Sequence, residues 1–397
     1  MNAFTSGRSA PKVPSDCRVT FSPQGPLQIV VRSSVASFYG DSLKSLVQET
    51  LAALNVMEGT LELDDFGALP FVIQARIEAA VKMADPDNPN QVLPPIHSKA
   101  IYGSSRTRFR RSRLYLPGDQ PKLMLNAGLH QPDGIILDLE DAVAPIEKPS
   151  ARLIVRNALR RLDFFGAEKM VRINQGDLGL EDLETIIPEH VHLILLPKIE
   201  DASEIVKIEK KVDELEKKHG KNEPVYFMPI IESARGVMNA LAIAEASERN
   251  VALAIGLEDY TADLGTQRTK EGTESFFARA TLVNAARAAG IQAIDTVFSD
   301  VTDEEGLIAS VKEAKALGFD GKGCIHPRQI RPIHDAFLPS QTEVEKALRI
   351  KTAFEEAQAK GLGVVSLGSK MIDAPVVKRA LTTVGMAEKA GILRQGE

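Results

Sequence analysis

Beyond residue 110 the sequence repeats one arrangement eight times: a short apolar run, then a stretch long enough for a helix. The runs are RLYL, GIILDL, KMVRI, HLILLP, VYFMPII, VALAIG, IQAID and GKGCIHP. Parallel strands buried on both faces read as near-continuous apolar runs of this kind. Strands alternating with helices predict an α/β fold, and eight repeats predict a (β/α)8 barrel, the TIM-barrel architecture. An open doubly wound sheet is the alternative, but no glycine-rich dinucleotide fingerprint follows the first run.

The chain in front of the barrel has a different grammar. RVTFSP and LQIVVR alternate in the manner of strands around Gln24, Gly25 and Pro26, which predicts a hairpin. Leu43, Leu46, Val47, Leu51 and Leu54 recur at helical spacing, and strand-like TLELDD and helical VIQARIEAAVKMA follow, giving a small ββαβα unit. DPDNPNQVLPPI has no period and is rich in turn formers, which marks a linker. The expected organisation is a flexible N-terminus (1–17), an α+β domain (18–85), a linker (86–110), the barrel (111–335) and a C-terminal helical extension (336–397) acting as lid or oligomerisation segment.

Composition matters mainly for what it excludes. With 397 residues, 44% of them hydrophobic, two cores can form without covalent staples. A formal net charge of −6 argues against a protein that lives on nucleic acid or anionic membrane, so an anionic substrate would need a local cationic site or a metal. Cys17 and Cys324 are far apart and in no metal-ligand spacing, which fits a reducing, cytoplasmic compartment. No apolar stretch approaches the roughly 20 residues of a membrane span. Met1 to Asp16 lacks a secretory apolar core; with Arg8, Lys12 and no acid before Asp16, a mitochondrial presequence stays open as the alternative.

Polar residues at the C-terminal ends of barrel strands line one mouth. Here they are Asp138, Glu140, Asp141, Arg172, Asn174, Lys198, Glu232, Glu258, Asp259, Asp295 and His326. Converging carboxylates repel and raise one another's pKa unless cations sit among them. A few carboxylate oxygens plus water suit Mg2+, and neither the Cys nor the paired His set of a zinc site is present. The bland reading is pairing across the barrel: Asp138 and Asp295 suit structural hydrogen bonds to backbone amides, and His326 before Pro327 suits a cap.

The runs RSRLYLPGD, ILDLEDAVAPIEKPSAR, VRIN, LPKIE, IIESARGVMNA, GLEDYTADLG, GFDGKGCIHPRQI, FLPS and SKMIDAPVVKRA occur in this order between residues 111 and 384. In these runs the chain resembles the citrate lyase beta subunit and its relatives in the HpcH/HpaI aldolase group, which includes malyl-CoA and citramalyl-CoA lyases. The resemblance implies a Mg2+-dependent carbon–carbon lyase acting on an acyl-CoA thioester, with Glu232 and Asp259 as metal ligands. It also implies Arg172 facing the thioester oxygen, Glu140 among the catalytic groups, and Asp373 of KMID exchanging a proton from a segment that closes over a neighbouring subunit's site. An enolate forming on one product needs such a fixed positive partner. For Asp373 the competing reading is a helix N-cap, with Pro375 in the first turn. Within the arginine cluster at 106, 108, 110, 111 and 113, Arg111 is the candidate contact for coenzyme A phosphates, together with Lys122 nearby; the competing reading of the cluster is a solvated linker face. A homotrimer or homohexamer is implied by the resemblance alone.

The front unit resembles the acyl carrier subunit of citrate lyase through SDCRV, FYGDSL, VQETLAALNV and DDFGALPFVIQARIEAAV. Such carriers bear a prosthetic arm on a serine in a short Ser-Ser/Gly-Asp run. Here Pro14 stands at that position and Ser15 is one place off. Two readings follow: an arm shifted to Ser15 on a lyase fused to its own carrier and working with a transferase subunit, or a carrier fold kept for structure and assembly. The second is preferred, because proline offers no nucleophile. A non-catalytic scaffold is the remaining alternative.

Overall fold

The computed structural model describes residues 3–8, 13–359, 365–367 and 370–393. Eight parallel strands close into a barrel: β5 (Ser112–Pro117), β6 (Gly134–Asp138), β7 (Glu168–Arg172), β8 (Leu193–Leu196), β9 (Tyr226–Ile231), β10 (Ala252–Ile255), β11 (Gln292–Asp295) and β12 (Gly321–Cys324). These are the eight apolar runs, in order. Strand alternation sends one set of side chains inward, among them Ile136, Met170, Leu195, Met228 and Ile294, to fill the barrel. The other set packs outward against the helices, as Leu114, Leu116, Ile135 and Leu137 do.

In front of it lie β1 (Phe4–Ser6), β2 (Cys17–Pro26), β3 (Gln28–Ser33), α1 (Ala36–Ala53), β4 (Glu58–Asp65) and α2 (Pro70–Ala84). The sheet order is β1-β2-β4-β3, with β4 antiparallel to β2 and parallel to β3. The expected hairpin between the first two runs is therefore not formed. A β3–α1–β4 crossover lays β4 between them, and Gln24–Pro26 fall where the β2–β4 register shifts. Phe4–Ser6, expected in a flexible tail, is the edge strand of this sheet, antiparallel to β2.

The two units are clamped together. In the barrel, α3 (Pro121–Met124) follows β5 and α4 (Lys148–Arg161) follows β6. Arg156 of α4 forks onto Glu78 of α2 at 3.0 and 2.8 Å, and its guanidinium also reaches the Val92 carbonyl. Arg76 of α2, wholly buried, holds Asp16 at 2.8 Å, the Ser150 hydroxyl at 2.7 Å and the Asp119 carbonyl at 3.0 Å. Phe71, Val72, Ala75 and Ala79 of α2 join the outer core of the barrel. The ring of helices continues with α5 (Gly176–Ile186), α6 (Ala202–His219), α7 (Ala234–Met238), α8 (Ala240–Glu245), α9 (Leu257–Asp263), α10 (Phe276–Ala288) and α11 (Glu304–Leu317). After β12 come α12 (Ile330–Phe337), α13 (Gln341–Ala359), the antiparallel pair β13 (Val365–Leu367) and β14 (Lys370–Ile372), and α14 (Ala374–Lys389).

Candidate active site

The mouth is assembled from consecutive strand ends. Arg172, the last residue of β7, donates to both oxygens of Asp138, the last residue of β6, at 2.7 and 2.6 Å. Asp138 also accepts the amides of Glu140 and Ala142 at 3.0 and 3.3 Å, so it is the rigid anchor that holds the guanidinium. The same guanidinium lies 2.9 Å from Glu140 and 3.6 Å from Asp141, with its carbon 5.5 Å above the Tyr115 ring. Gln175 donates to Glu140 at 2.8 Å, and burial raises the Glu140 carboxyl above its ordinary range.

Two residues beyond β8, Lys198 sits at φ +51, an unfavourable backbone region for a lysine. That turn aims its N–H at Glu232 Oε1, 2.8 Å away. Its ammonium lies 3.4 Å from Asp259, 3.8 Å from Glu140 and 3.9 Å from Asp141. Glu232 follows β9 directly, and Asp259 lies in the first turn of α9 (Leu257–Asp263), which follows β10. Room for Glu232 depends on Gly256: a Cβ there would come within 2.3 Å of Oε2. Burial pushes the Glu232 carboxyl up to about 8, and the Asp259 and Glu140 charges push in the same direction.

Arg172, Glu232 and Asp259 thus line one cavity of about 380 Å³, together with Asp138, Asp141 and Tyr115. Its carboxylates outnumber its cations, and Glu232, half-starved of positive partners, shows the cost in its raised pKa. Among the described residues no three His, Cys, Asp or Glu side chains form a ready metal cage. A pair of carboxylates on one cavity fits a hard cation that keeps part of its water shell.

Glu258 and Asp295 line this cavity as well, whereas Arg111, Lys122, His326 and Asp373 are not among its lining residues. Arg111 precedes β5 and therefore sits at the N-terminal base of the barrel, a strand length of roughly 17–20 Å from the mouth. There it forks onto Asp133 at 2.8 and 2.9 Å and caps the Phe109 ring. Two more of the cluster are held within the chain: Arg108 reaches the carbonyls of Asp133 and Gly166, and Arg110 is buried on Glu168 and Gln292. Arg106 is exposed, as the reading of a solvated face expects. Lys122, in α3, is exposed on the side of the mouth. Asp373 is the exposed N-cap of α14, accepting the Val376 amide at 3.2 Å. Asp295 is fully buried on Lys322 and Arg279, and His326 caps the turn after β12 through the Arg328 amide.

Two residues of the mouth escaped the sequence reading: Tyr115, which lines the cavity, and Gln175, which bonds Glu140. For Tyr115 the signal was present, since alternation along RLYL puts 113 and 115 on the inner face. Gln175 follows VRIN with no local mark of its partner.

The HpcH/HpaI aldolase/citrate lyase family model matches residues 111–327, and the malonate decarboxylase delta subunit (MdcD) model matches residues 14–84. Citrate lyase subunit beta of Escherichia coli K12 is 43% identical over 291 residues, covering 72% of this chain and 96% of that protein. The mitochondrial citramalyl-CoA lyase of Homo sapiens is 35% identical over 290 residues, 70% of this chain and 85% of that protein. Among solved structures, the CitE protein of Mycobacterium tuberculosis in complex with magnesium, acetoacetate and coenzyme A superposes with a TM-score of 0.59 at 30% identity, covering 72% of this chain and all of that one.

Proposed function

Because this chain belongs to the HpcH/HpaI aldolase/citrate lyase family, we propose that it is a Mg2+-dependent carbon–carbon lyase. Its substrate would be a 3-hydroxyacyl-CoA thioester (citryl-, citramalyl- or malyl-CoA), split into acetyl-CoA and a 2-keto acid. The observation that carries this reading is the convergence of Glu232, Asp259 and the anchored Arg172 on one cavity. Glu232 and Asp259 would hold the metal, which supplies Lewis-acid polarisation of the hydroxyl and carboxylate oxygens that become the keto acid.

The chain's own residues do the remaining work. Arg172, locked by Asp138 and stacked on Tyr115, presents a fixed positive charge where the thioester oxygen becomes an enolate oxygen. Glu140, beside Arg172 and with its carboxyl raised by burial, would take the hydroxyl proton as the carbon–carbon bond breaks. Asp373 would return a proton to the acetyl carbon from a neighbouring copy, because in its own chain the carboxylate caps α14 and is exposed. That role makes a homotrimer or homohexamer the working assembly. Arg111 and Lys122 remain candidates for coenzyme A only if a partner copy brings a phosphate to them.

The front unit is better suited to structure than to carrying an arm. Ser15 sits in a turn at φ +65, its amide bonded to the Phe66 carbonyl at 3.1 Å, and the adjacent Asp16 is buried on Arg76. A swinging carrier needs freedom that these bonds remove. An intact mass equal to that of the bare chain is expected; an added prosthetic group would restore the reading of a lyase fused to its own carrier. The compartment proposed is the cytoplasm, consistent with Cys17 and Cys324 both being free and buried.

The direct test is a panel of the three thioesters with and without Mg2+, following acetyl-CoA and keto acid. Cleavage of at least one, only with the metal, is expected, and Arg172→Lys should lower the rate by about 10²-fold. No cleavage of any, with no Mg2+ binding, would leave the scaffold reading.

A further inference from the structure

Beneath the mouth, on the inner face of β5, lies a cation that no carboxylate among the described residues neutralises. Arg113 is 1% exposed. Its Nη1 rests against Met228 Sδ at 3.0 Å, Nη2 reaches the Asp295 carbonyl at a long 3.5 Å, and Nε has no hydrogen-bond partner among the described residues. No carboxylate among those residues pairs with it. The nearest candidate, Asp295, is already held by Lys322 at 2.7 Å and by Arg279 at 3.2 and 3.1 Å.

Glycines flank this position. The residues in register with Arg113 on both neighbouring strands are glycines, Gly134 on β6 and Gly323 on β12. A Cβ at Gly134 would come within 2.5 Å of Met170, and one at Gly323 within 2.7 Å of Val297. The guanidinium lines the same cavity as Glu232, Asp259 and Arg172. A buried, always-charged group without a counter-ion costs stability, and replacing it with an apolar side chain of similar length would remove that cost. All the other fully buried arginines of the barrel region and its clamp, Arg76, Arg110 and Arg156, have carboxylate partners.

We propose that Arg113 is a specificity-determining residue that receives a second, distal carboxylate of the keto-acid half of the substrate. This rests on the lyase reading above and narrows it. Of the three thioesters, only citryl-CoA yields a keto acid with a carboxylate beyond its 2-oxo acid group, namely oxaloacetate; citramalyl- and malyl-CoA yield pyruvate and glyoxylate, which leave Arg113 unpaired. The planar fork matches a carboxylate in two-point contact, and the low-polarity surroundings of Met228 strengthen that contact. A site built around a polar partner discriminates strongly against analogues that lack it.

The experiment compares wild type, Arg113→Met and Arg113→Lys on citryl- and citramalyl-CoA with Mg2+, beside calorimetric binding of oxaloacetate and pyruvate to the Mg2+-loaded protein. Wild type should prefer citryl-CoA, and bind oxaloacetate over pyruvate, by roughly 100-fold or more. Arg113→Met should erase both preferences while melting at or above the wild-type temperature, and Arg113→Lys should keep part of them. Equal binding of oxaloacetate and pyruvate by the wild type overturns the proposal whatever the variants do. So does an unchanged citryl preference in a folded Arg113→Met. If wild type cleaves citramalyl- or malyl-CoA best, Arg113 is wrongly assigned and the lyase reading stands; if it cleaves nothing and binds neither keto acid, the lyase reading itself fails.

Discussion

The two ends of the barrel handle charge in opposite ways. At the base, Arg110 and Glu168, both fully buried, are forked together at 2.7 and 2.8 Å, and Gln292 takes another guanidinium N–H. Arg111 is matched to Asp133, with His334 bonded to Ser112 at 2.7 Å beside them. At the mouth, Glu140, Asp141 and Asp259 share Lys198, while Glu232 takes an amide N–H and no ion pair among the described residues. Charges that serve the fold find partners within the chain. At the mouth Arg172 is paired as well, and the shortage falls on Glu232, whose carboxylate is left to an amide.

The strongest way to break this comparison is to remove one charge at each end. Glu168→Ala strands Arg110 in the interior and should cost about 3–5 kcal/mol. Asp259→Asn lightens an acid surplus and should leave stability within about 1 kcal/mol of wild type or raise it. Urea unfolding of the two variants measures both. Similar losses at the two ends would show that the mouth acids are structural after all.

A smaller effect sharpens it. A ligand that binds only the folded state stabilises by about 2.7 kcal/mol when present at 100 times its Kd. Mg2+ should therefore raise the melting temperature of wild type and of Glu168→Gln alike, provided the latter folds, and leave Asp259→Asn and Glu232→Gln where they were. A Mg2+ shift that survives loss of either mouth acid would place the cation elsewhere.

The barrel was legible in the sequence because strands buried on both faces cannot hide their apolar runs. The acid pair was legible because polar residues at the ends of such runs stand out. The front sheet was less so: turn residues at 24–26 announce a change of direction, but which strand then pairs with β2 is settled by the packing of α1 and the insertion of β4. The arginine cluster left two readings open because its composition suits phosphate as well as it suits carboxylate. Chain direction puts Arg111 at the end opposite the mouth, since it precedes β5. Arg113 was hidden by its neighbours in the cluster, and only alternation along β5 separates it from them. Asp373 illustrates a different limit, because one chain shows its capping role and a second copy is needed to show any other.

The smallest effect is in pH, where the two ends should have slopes of opposite sign. Burial alone would raise the Asp133 carboxyl, but the Arg111 fork outweighs it and holds the group below its ordinary range. A depressed carboxylate contributes stability that is complete above its unfolded pKa and lost as pH falls through the folded one, so the base weakens only in acid, below about pH 4. Glu232 is displaced upward, to about 8. Between roughly pH 4.3 and that value the folded state holds a proton that the unfolded state has released, so stability contributed here falls as pH rises. Neither slope can exceed about 1.4 kcal/mol per pH unit for one group. Unfolding measured in chelator from pH 3 to 9 should show Asp133→Asn flattening only the limb below about pH 4 and Glu232→Gln only the limb between about pH 4.3 and 8. Saturating Mg2+ should act as Glu232→Gln does on the upper limb, because a bound cation removes the reason for that carboxyl to keep its proton. If Mg2+ leaves the upper limb untouched, Glu232 is not its ligand, and the surplus of acid at the mouth needs another explanation.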